Sequence, residues 1–417
     1  MSKLLINGGK TLFGNVKIHG AKNSALPLLA ATVLCKGNSV IHNCPNLSDV
    51  NASINILKHL GCKCKFLDNT VFVDANQIHC CKIPDTLMLK MRSSVIFLGA
   101  ILSRCGTAII SSPGGCELGP RPIDLHISAL KRMGATVKER HGHIEFNAPH
   151  GLNGAEIQLS FASVGATENI ILAAVTAKGC TIIHNAAKEP EICDLADFLN
   201  KCGAQICGAG TDTIIIYGAN SLIGCVHEVI PDRIVAASYM AAAAITGGEI
   251  TLCNVKPQHL IAVTSVFEEA GCILNTTNES IKIISPKKLS RVSTIRTSVY
   301  PGFPTDAGPL VLAMLSLANG TSIVVENIFE NRFRYIDELK RLGANIRIEG
   351  RVAIVEGVNL LTGAPCKCTD LRGGAALIVA ALAAKGQTIV ENIHHIKRGY
   401  ENIDVGLSNL GADIKEI

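Results

Sequence analysis

Hydrophobic and polar positions repeat along this chain with a nearly constant period. Six segments end in an apolar helical tail followed by glycine, and these glycines are Gly61, Gly134, Gly203, Gly271, Gly343 and Gly411. Subtraction of these positions places successive glycines 73, 69, 68, 72 and 68 residues apart. Since a fixed period indicates copies of one structural unit, we expect six such copies.

Each copy has the same order of elements. A helix that is apolar on nearly all sides comes first, followed by a glycine, a β-branched segment, an amphipathic helix and further strands. The apolar helices are predicted at residues 26–34, 94–102, 168–178, 235–245, 309–318 and 375–384. Such helices must be buried, and β-branched segments favour strands. The pattern predicts an α/β fold of βαβαββ modules, with buried helices and outer sheets.

The length of the chain indicates two domains. Its 417 residues exceed what one ordinary hydrophobic core accommodates. Three copies per domain divide the chain evenly, and no Pro-, Gly- or Ser-rich linker separates the halves. We therefore place the boundary between copies three and four, near residues 229–231.

Composition narrows the functional classes. Hydrophobic residues make up 48% of the chain and charged residues 18%, as in a well-buried globular protein. The net charge of +5 is dispersed, which disfavours nucleic acid as a partner. The N-terminal segment lacks a signal-peptide core, and the apolar runs are too short to span a bilayer. We expect a cytoplasmic protein without a membrane partner.

The seventeen cysteines do not indicate a metal centre. In the cytoplasm we expect them to be reduced and mostly buried. The close pairs Cys62/Cys64, Cys80/Cys81 and Cys366/Cys368 lack the C-x₂-C spacing of common zinc sites. No metal is therefore predicted.

Unusual polar residues recur at two places in each copy, both just before a helix. About 38 residues before each terminal glycine lie Lys22 with Asn23, Arg92, Ser163 to Gly165, Arg233, Asp306 and Arg372. About 12 residues before it lie Asp49, Arg121, Glu191, His259, Arg332 and Arg398. Helix N-termini favour anions.

Two interpretations of these positions compete. Charged residues before helices are usually caps or solvated loop charges, and we favour that interpretation for Asp49 and Glu191. Repeated arginines are different, because arginine opposes the helix dipole unless an anion is present. The arginines therefore predict a polyanionic ligand with phosphate or carboxylate groups, held where the loops of the two domains meet in one cleft.

Copy two has an additional loop at residues 111–127. Its glycines surround Cys116, and Arg121 follows closely, so an exposed Cys116 thiol would be reactive. The alternative is that Cys116 is one more buried thiol, which the Gly-rich polar setting disfavours. Asp124 and His126 either function in this loop or cap the following helix.

Nine stretches carry a resemblance to a known family. They are GAKNSALP (20–27), GGC…GPRPIDLH (114–126), SVGATEN (163–169), AAKEPEI (186–192), PDRI (231–234), FPTD (303–306), ENRF (330–333), DLRGG (370–374) and RGYEN (398–402). From one end to the other, the chain resembles the UDP-N-acetylglucosamine 1-carboxyvinyltransferases, which are enolpyruvyl transferases.

The resemblance implies a two-domain inside-out α/β barrel, with one domain at residues 22–230 and the other at residues 1–21 plus 231–417. It also implies transfer of the enolpyruvyl group of phosphoenolpyruvate to the 3-hydroxyl of UDP-N-acetylglucosamine, with release of phosphate. This reaction begins peptidoglycan precursor synthesis, and therefore supports cell shape and division. No metal or organic cofactor is implied, and the oligomeric state stays open.

The resemblance also assigns roles to individual residues. Asp306 is implied as the base for the 3-hydroxyl, and Cys116 as a general acid or a group for product release that fosfomycin alkylates. Asp370 and Arg372 are implied to support the reacting centre. Phosphate, diphosphate and carboxylate groups are assigned to Lys22, Arg92, Arg121, Ser163, Val164, Gly165, Arg332 and Arg398. Sugar and uridine contacts are assigned to Asn23, Asp306, Arg121, Pro122, Ile123, Asp124 and Leu125, and a further substrate contact to Ile328.

Three positions depart from the family pattern. Ala307 and Gly308 follow FPTD, Val235 follows PDRI, and Phe161 stands where a basic residue is common near the uracil. Two other functions remain open. The chain could use another acceptor, such as shikimate 3-phosphate, or it could be a binding protein on the same scaffold.

Overall fold

The computed structural model describes residues 2–111, 123–140 and 142–417. The chain forms two compact units. The N-terminal unit contains residues 20–111 and 123–230, and the C-terminal unit contains residues 2–19 and 231–417. Helices and strands alternate in both units, which confirms the predicted α/β class. In the described part of the chain, no helix is both long and apolar enough to cross a membrane.

The first two strands, β1 (Leu4–Asn7) and β2 (Phe13–Lys17), precede the N-terminal unit along the chain. The helices of that unit are α1 (Lys22–Ala31), α2 (Ser48–Leu60), α3 (Asp85–Lys90), α4 (Phe97–Cys105), α5 (Asp124–Arg132), α6 (Val164–Ala174) and α7 (Pro190–Lys201). Its strands are β3 (Cys35–Lys36), β4 (Asn38–His42), β5 (Lys63–Leu67), β6 (Thr70–Asp74), β7 (Thr107–Ser111), β8 (Thr136–Arg140), β9 (His143–Asn147), β10 (Glu156–Gln158), β11 (Cys180–His184), β12 (Gln205–Cys207), β13 (Thr213–Tyr217), β14 (Leu222–Ile223) and β15 (Val226–Glu228). Short 3₁₀ helices lie at Thr32–Leu34 and Arg92–Ile96.

The C-terminal unit repeats this alternation. Its helices are α8 (Arg233–Thr246), α9 (Ile261–Glu269), α10 (Gly308–Leu315), α11 (Ile336–Arg341), α12 (Leu371–Ala383) and α13 (Ile403–Asn409). Its other strands are β16 (Glu249–Cys253), β17 (Ile273–Thr276), β18 (Ser280–Ile284), β19 (Thr294–Arg296), β20 (Thr321–Val325), β21 (Asn345–Glu349), β22 (Val352–Glu356), β23 (Pro365–Lys367), β24 (Gln387–Glu391) and β25 (Asp413–Glu416). Its 3₁₀ helices are Pro257–His259, Thr305–Ala307, Arg332–Tyr335 and Ile396–Arg398.

The sheets of the C-terminal unit have the orders β23-β24-β1-β25, β17-β18-β16-β2 and β19-β20-β22-β21. The N-terminal residues of the chain complete two of these sheets, because β1 is antiparallel to β24 and β25, and β2 is parallel to β16. In the N-terminal unit the sheet orders are β15-β4-β6-β5, β10-β11-β13-β12, β7-β9-β8 and β14-β3. The last strand of this unit, β15, pairs in parallel with β4, one of its first strands.

Each unit has its own hydrophobic core around apolar helices. In the C-terminal unit, α8, α10 and α12 pack against one another. In the N-terminal unit, α4 packs against both α1 and α6. Their small side chains are buried on all faces, as in α8, where every residue from Ile234 to Ile245 is buried. The expectation of helices inside and sheets around them is confirmed.

The repeated glycine ends the second helix of each copy. All six glycines have φ between 93° and 109°, a conformation that glycine adopts without a steric penalty. The next residue donates its backbone N–H to a carbonyl five positions back, at 2.9 to 3.2 Å, as in a Schellman motif. The donor and acceptor pairs are Cys62 with Leu57, Ala135 with Leu130, Ala204 with Leu199, Cys272 with Phe267, Ala344 with Leu339, and Ala412 with Leu407.

An asparagine after the central strand of four copies holds a segment that leads into an apolar helix. Its side-chain amide donates to a carbonyl of that segment at 2.7 to 3.0 Å. The pairs are Asn43 with Val229, Asn185 with Leu159, Asn254 with Ile18, and Asn327 with Thr297. These bonds hold the segments that directly precede predicted functional residues at the starts of the apolar helices.

The six apolar helical segments begin in two ways. Ser163, Asp232 and Asp370 cap α6, α8 and α12 with side-chain oxygens that accept backbone N–H bonds. The segments that start at Lys22, Arg92 and Thr305 have no side-chain cap, since Ala21, Met91 and Pro304 precede them. A side-chain cap therefore satisfies backbone N–H groups at the helix start in three copies, and the other three helix starts lack such a cap.

Replacing Asp232 by alanine should destabilise the protein. Its buried Oδ1 accepts from Ile234 N and Val235 N at 2.9 and 3.0 Å, and loss of such a cap costs about 1 to 2 kcal/mol. Urea denaturation followed by circular dichroism measures this change. Asp337→Ala is the control, because Asp337 is 82% exposed and its ion pair with Lys340 is superficial. Equal midpoints for both variants would contradict the capping role.

Candidate active site

A carboxylate lies between two arginines in the C-terminal unit. Asp306 stands in the 3₁₀ turn that leads into α10, Arg332 opens another 3₁₀ turn, and Arg372 lies in the first turn of α12. Arg332 Nη2 donates to Asp306 Oδ1 at 3.0 Å and to Thr305 O at 3.1 Å. Arg372 Nε and Nη2 both lie 3.1 Å from Asp306 Oδ2. We call Asp306, Arg332 and Arg372 the guanidinium cluster.

The guanidinium cluster is open at the carboxylate and buried at the arginines. Each arginine side chain is 3% exposed, whereas that of Asp306 is 27% exposed. The three groups carry a net charge of +1, and the two positive charges are buried behind the exposed carboxylate. The two guanidiniums also stabilise the ionised form of Asp306.

Arg332 has an unused donor. Its Nε is buried and has no hydrogen-bond partner in the described part of the chain. A buried donor without an acceptor costs about 1–3 kcal/mol, so an acceptor that reaches Nε would be bound favourably. A carboxylate or phosphate oxygen suits this position, because guanidinium groups bind such anions with two N–H groups.

Arg372 is held by further contacts within the same unit. Its Nη1 donates to the Tyr400 hydroxyl at 3.2 Å, and the guanidinium lies 5.6 Å from the centre of the Tyr400 ring. The Tyr400 hydroxyl also lies 2.8 Å from Ser238 Oγ. Burial lowers the pKa of Arg372, but the Asp306 carboxylate offsets this effect and the pKa lies above its ordinary value. Arg372 therefore stays charged.

Asp370 positions Arg372 by capping α12. Its Oδ1 accepts from the backbone N–H of Arg372 at 3.0 Å and of Gly373 at 2.9 Å. A Cβ at Gly373 would lie 2.6 Å from Asp370 Oδ2 and 2.7 Å from Tyr335 Cβ, so only glycine fits there. These contacts account for Asp370 and Gly373 in the sequence DLRGG. The implied catalytic role of Asp370 stays a prediction.

Glu326, which the sequence interpretation missed, organises the loop beside the guanidinium cluster. It is 2% exposed. Its Oε1 accepts from Ile328 N at 2.8 Å and Phe329 N at 3.0 Å, and its Oε2 accepts from Thr305 Oγ1 at 2.9 Å. Glu326 thereby fixes the backbone at Ile328 and next to Asp306. Its position at the end of a β-branched strand gave no signal of this role.

In three copies the two polar positions lie close together in space. In copy five, Asp306 contacts Arg332. In copy one, Lys22 Nζ lies 3.5 Å from Asp49 Oδ2. In copy four, Arg233 and His259 line the same shallow surface depression. The sequence predicted both positions without predicting this pairing.

One of the two interpretations offered for Asp49 and Glu191, that they are solvated loop charges, is wrong. Asp49 and Glu191 are not solvated loop charges, because they are 1% and 4% exposed. Asp49 lies in the first turn of α2, where its ion pair with Lys22 compensates part of its burial. Asp49 can be buried because Lys22 of another helix pairs with it, and the local sequence around Asp49 does not show this partner.

Other predicted site residues of the N-terminal unit lie at helix starts. Lys22 and Asn23 begin α1, and Ser163 caps α6, whose first residues are Val164 and Gly165. Asp124 and Leu125 begin α5, and Ile123 occupies its N-cap position, so Asp124 is not its cap. Phe161 is 47% exposed.

Some predicted residues have no described geometry. Cys116, Arg121 and Pro122 lie outside the described residues. The backbone of Arg92 opens a 3₁₀ helix, and its side chain is not among the described parts. In the C-terminal unit, Arg398 ends the 3₁₀ helix Ile396–Arg398 and is half-buried.

His126 is buried and bonded to Asn169 in this fold. It is 6% exposed, and Asn169 Nδ2 lies 3.0 Å from its Nδ1, which therefore accepts. Burial lowers the pKa of His126 to about 4, against a smaller opposing effect of Asp124. At neutral pH the ring is uncharged. The alternative of a helix cap is excluded, because this side chain points into the core.

The burial of His126 predicts a pH dependence of stability. Between the ordinary value of 6.5 and about 4, the unfolded chain binds a proton that the folded chain does not, so stability falls as the pH falls. From pH 7 to pH 5 the loss should be on the order of 2 kcal/mol. Urea midpoints of the wild type and His126→Gln at both pH values measure it, with the exposed His150→Gln as control. An unchanged slope in His126→Gln would contradict this assignment.

A buried network around Asp194 was also missed. Asp194 is 4% exposed and accepts from Ser24 Oγ, from Ile230 N at 3.4 Å, and from His227 Nε2 at 2.9 Å. The other ring nitrogen of His227 lies 3.2 Å from Lys201 Nζ. The network ties the first turn of α1 to α7 and β15. Within the described residues, no group of three His, Cys, Asp or Glu side chains could hold a metal ion.

Comparisons with known proteins place this geometry in a family. A family model described as EPSP synthase (3-phosphoshikimate 1-carboxyvinyltransferase) matches residues 6–406. This chain belongs to that family. A protein of Caldanaerobacter subterraneus subsp. tengcongensis, named UDP-N-acetylglucosamine 1-carboxyvinyltransferase 2, is 52% identical over 417 residues and 100% of both chains. UDP-N-acetylglucosamine 1-carboxyvinyltransferase 1 of Symbiobacterium thermophilum is 47% identical over 420 residues, covering 100% of this chain and 95% of that protein.

Solved structures agree with this membership. The enolpyruvyl transferase NikO from Streptomyces tendae has a TM-score of 0.89 and is 25% identical, covering 100% of this chain and 98% of that one. The resemblance inferred from nine sequence stretches is thus confirmed at the family level, together with the two-domain α/β fold.

Proposed function

We propose that this enolpyruvyl transferase family member transfers the enolpyruvyl group of phosphoenolpyruvate to the 3-hydroxyl of UDP-N-acetylglucosamine and releases phosphate. The observation that carries the proposal is the guanidinium cluster with its unused Arg332 Nε. It offers a carboxylate for a hydroxyl proton and a donor for an anion within one contact group. The addition of a hydroxyl group to phosphoenolpyruvate requires both a proton acceptor and a donor that binds the substrate anion.

The reaction is an addition followed by an elimination. The sugar 3-hydroxyl adds to C2 of phosphoenolpyruvate while a proton adds to C3, which gives a tetrahedral intermediate. Loss of a C3 proton and of phosphate then restores the double bond. Asp306 accepts the hydroxyl proton. The ion pairs with two guanidiniums hold the carboxylate in place, and the proton moves to it as the new C–O bond forms.

The arginines serve the substrate anions. Arg332 and Arg398 bind the phosphoenolpyruvate carboxylate, and Nε of Arg332 supplies a donor that no described protein group uses. Arg372, fixed by Asp306, Tyr400 and the Asp370 cap, keeps the base oriented. Such preorganised charges stabilise a transition state without reorganisation.

The N-terminal unit supplies contacts for the phosphates. Lys22, whose ammonium is anchored by Asp49, together with Arg92 and Arg121, holds phosphate groups. The uncapped start of α1 adds backbone N–H groups next to Lys22. Asn23 contacts the sugar, and Ser163 to Gly165 and Arg121 to Leu125 contact the diphosphate and uridine. Cys116 acts as a general acid or in product release, and fosfomycin alkylates it.

Sequence identity to named relatives supports the choice of UDP-N-acetylglucosamine as the acceptor. The two relatives described above carry the name of the UDP-N-acetylglucosamine enzyme and align with this whole chain. The family model carries the name of the shikimate enzyme and covers the shared fold. We therefore assign the sugar nucleotide as acceptor, and place the protein in the cytoplasm at the start of peptidoglycan precursor synthesis, where it supports cell division.

Product analysis tests this proposal. The protein is incubated with phosphoenolpyruvate and UDP-N-acetylglucosamine, and the products are examined by proton and phosphorus NMR. We expect two vinyl protons on a group attached to O3 of the sugar and one inorganic phosphate per product. Vinyl signals that remain those of phosphoenolpyruvate, with no phosphate formed, would overturn the assignment in favour of a binding protein.

A further inference from the structure

Three thiols lie close together where the C-terminal end of α7 meets the segment before β15. Cys202 follows α7 as its C-terminal cap, and Cys225 stands directly before β15. Their Sγ atoms lie 3.4 Å apart. Cys35, at the start of β3, is the third thiol and also contacts Cys202. No role in the proposed transfer reaction uses these residues.

The backbone holds this arrangement firmly. Ile223 donates its N–H to Cys202 O at 2.9 Å, and Gly224 donates to Lys36 O at 2.8 Å. A Cβ at Gly224 would lie 2.3 Å from Asn38 O, so the turn before Cys225 packs directly on residues 36–38. The segment that carries Cys225 is therefore fixed between Cys202 and the start of β4.

The two close thiols differ in access. Cys202 is 2% exposed, whereas Cys225 is half-buried. A thiol reagent in solution meets Cys225 first. A disulfide needs the sulfur atoms about 2.05 Å apart, which is roughly 1.4 Å closer than they lie here.

We propose that Cys202 and Cys225 form a reversible intramolecular disulfide, with Cys225 as the attacking thiol and Cys202 as the resolving thiol. The oxidant is a low-molecular-weight disulfide, RSSR. The Cys225 thiolate attacks one sulfur of RSSR, forms a mixed disulfide and releases RS⁻, which takes up a proton. The Cys202 thiolate then attacks the Cys225 sulfur, and the second RS⁻ leaves. Two protein thiols are oxidised and one RSSR is reduced to two RSH.

The environment sets the rate of this exchange. Burial raises the pKa of Cys225 to about 12, with neighbouring Cys202 adding to the effect and Lys201 opposing it. Only the thiolate attacks a disulfide, so oxidation is slow at neutral pH. Its rate should rise about tenfold for each pH unit between 7 and 9. The site forms a slow, protected thiol pair rather than a fast sensor.

Disulfide mapping tests the proposal. The full-length protein is incubated with oxidised glutathione at pH 8, denatured near neutral pH in the presence of N-ethylmaleimide, digested, and analysed by mass spectrometry. We expect a peptide that links Cys202 to Cys225 and that disappears after dithiothreitol. In Cys202→Ser, a glutathione adduct should accumulate on Cys225, whereas Cys35→Ser should retain the Cys202–Cys225 bond.

Two results would overturn the proposal. In one, both thiols remain fully alkylated by N-ethylmaleimide after prolonged incubation with oxidised glutathione at pH 9. In the other, the linked peptide joins Cys35 to Cys202. Neither result depends on the transfer reaction, because the readout is a covalent bond and not turnover.

Discussion

Asp306→Asn is expected to lower turnover by about 10³-fold while leaving the fold intact, because a positioned general base contributes about 10²–10⁴-fold. The amide is neutral and cannot take the hydroxyl proton. It can still occupy the same space, although it cannot accept from both Arg332 and Arg372 as the carboxylate does. Steady-state phosphate release and circular dichroism measure the two effects.

A matched control separates chemistry from charge. Asp337→Asn removes a carboxylate of the same unit that is 82% exposed and pairs with Lys340 at 3.8 Å. Its turnover should equal that of the wild type. If Asp306→Asn retained more than a tenth of the wild-type turnover, Asp306 would not be the base.

Arg332→Lys is expected to raise KM for phosphoenolpyruvate by about 10- to 100-fold, with a much smaller effect on KM for the acceptor. Lysine keeps the charge but has no equivalent of Nε, so it cannot contact Asp306 and an incoming anion together. A charge-assisted hydrogen bond contributes about 1.5–3 kcal/mol, which corresponds to that range. Initial rates with one substrate varied at a time give both constants.

The control for this variant is Arg351→Lys. Arg351 is 47% exposed and pairs with Glu330 at 3.2 Å on the surface of the same unit. Both KM values should be unchanged there. Equal increases in KM for both substrates in Arg332→Lys would indicate a general disturbance of the unit and would contradict a carboxylate-specific role.

Local patterns in the sequence predicted the parts of the fold that local physics determines. The six terminal glycines are C-terminal caps because helix ends need φ values that glycine adopts easily, and this requirement appears in the sequence wherever a helix ends. The apolar helices were equally readable, since a helix such as α8 that is apolar on all sides must be buried.

Long-range pairing was not readable in the same way. The repeated arginines predicted an external anion, yet Arg332 and Arg372 first neutralise Asp306, which is 66 residues from Arg372 along the chain. Asp49 and Asp194 are buried because Lys22, Ser24 and His227 reach them from other elements. Whether a carboxylate is solvated or buried depends on partners that only the folded chain brings close.

Phosphate release with each of two acceptors tests the central claim most directly. The wild type, Asp306→Asn and Asp337→Asn are each mixed with phosphoenolpyruvate and either UDP-N-acetylglucosamine or shikimate 3-phosphate. We predict rapid release with the sugar nucleotide for the wild type and Asp337→Asn, a loss of about 10³-fold for Asp306→Asn, and no release with shikimate 3-phosphate. Release with shikimate 3-phosphate alone, or equal rates for Asp306→Asn and the wild type, would contradict the account.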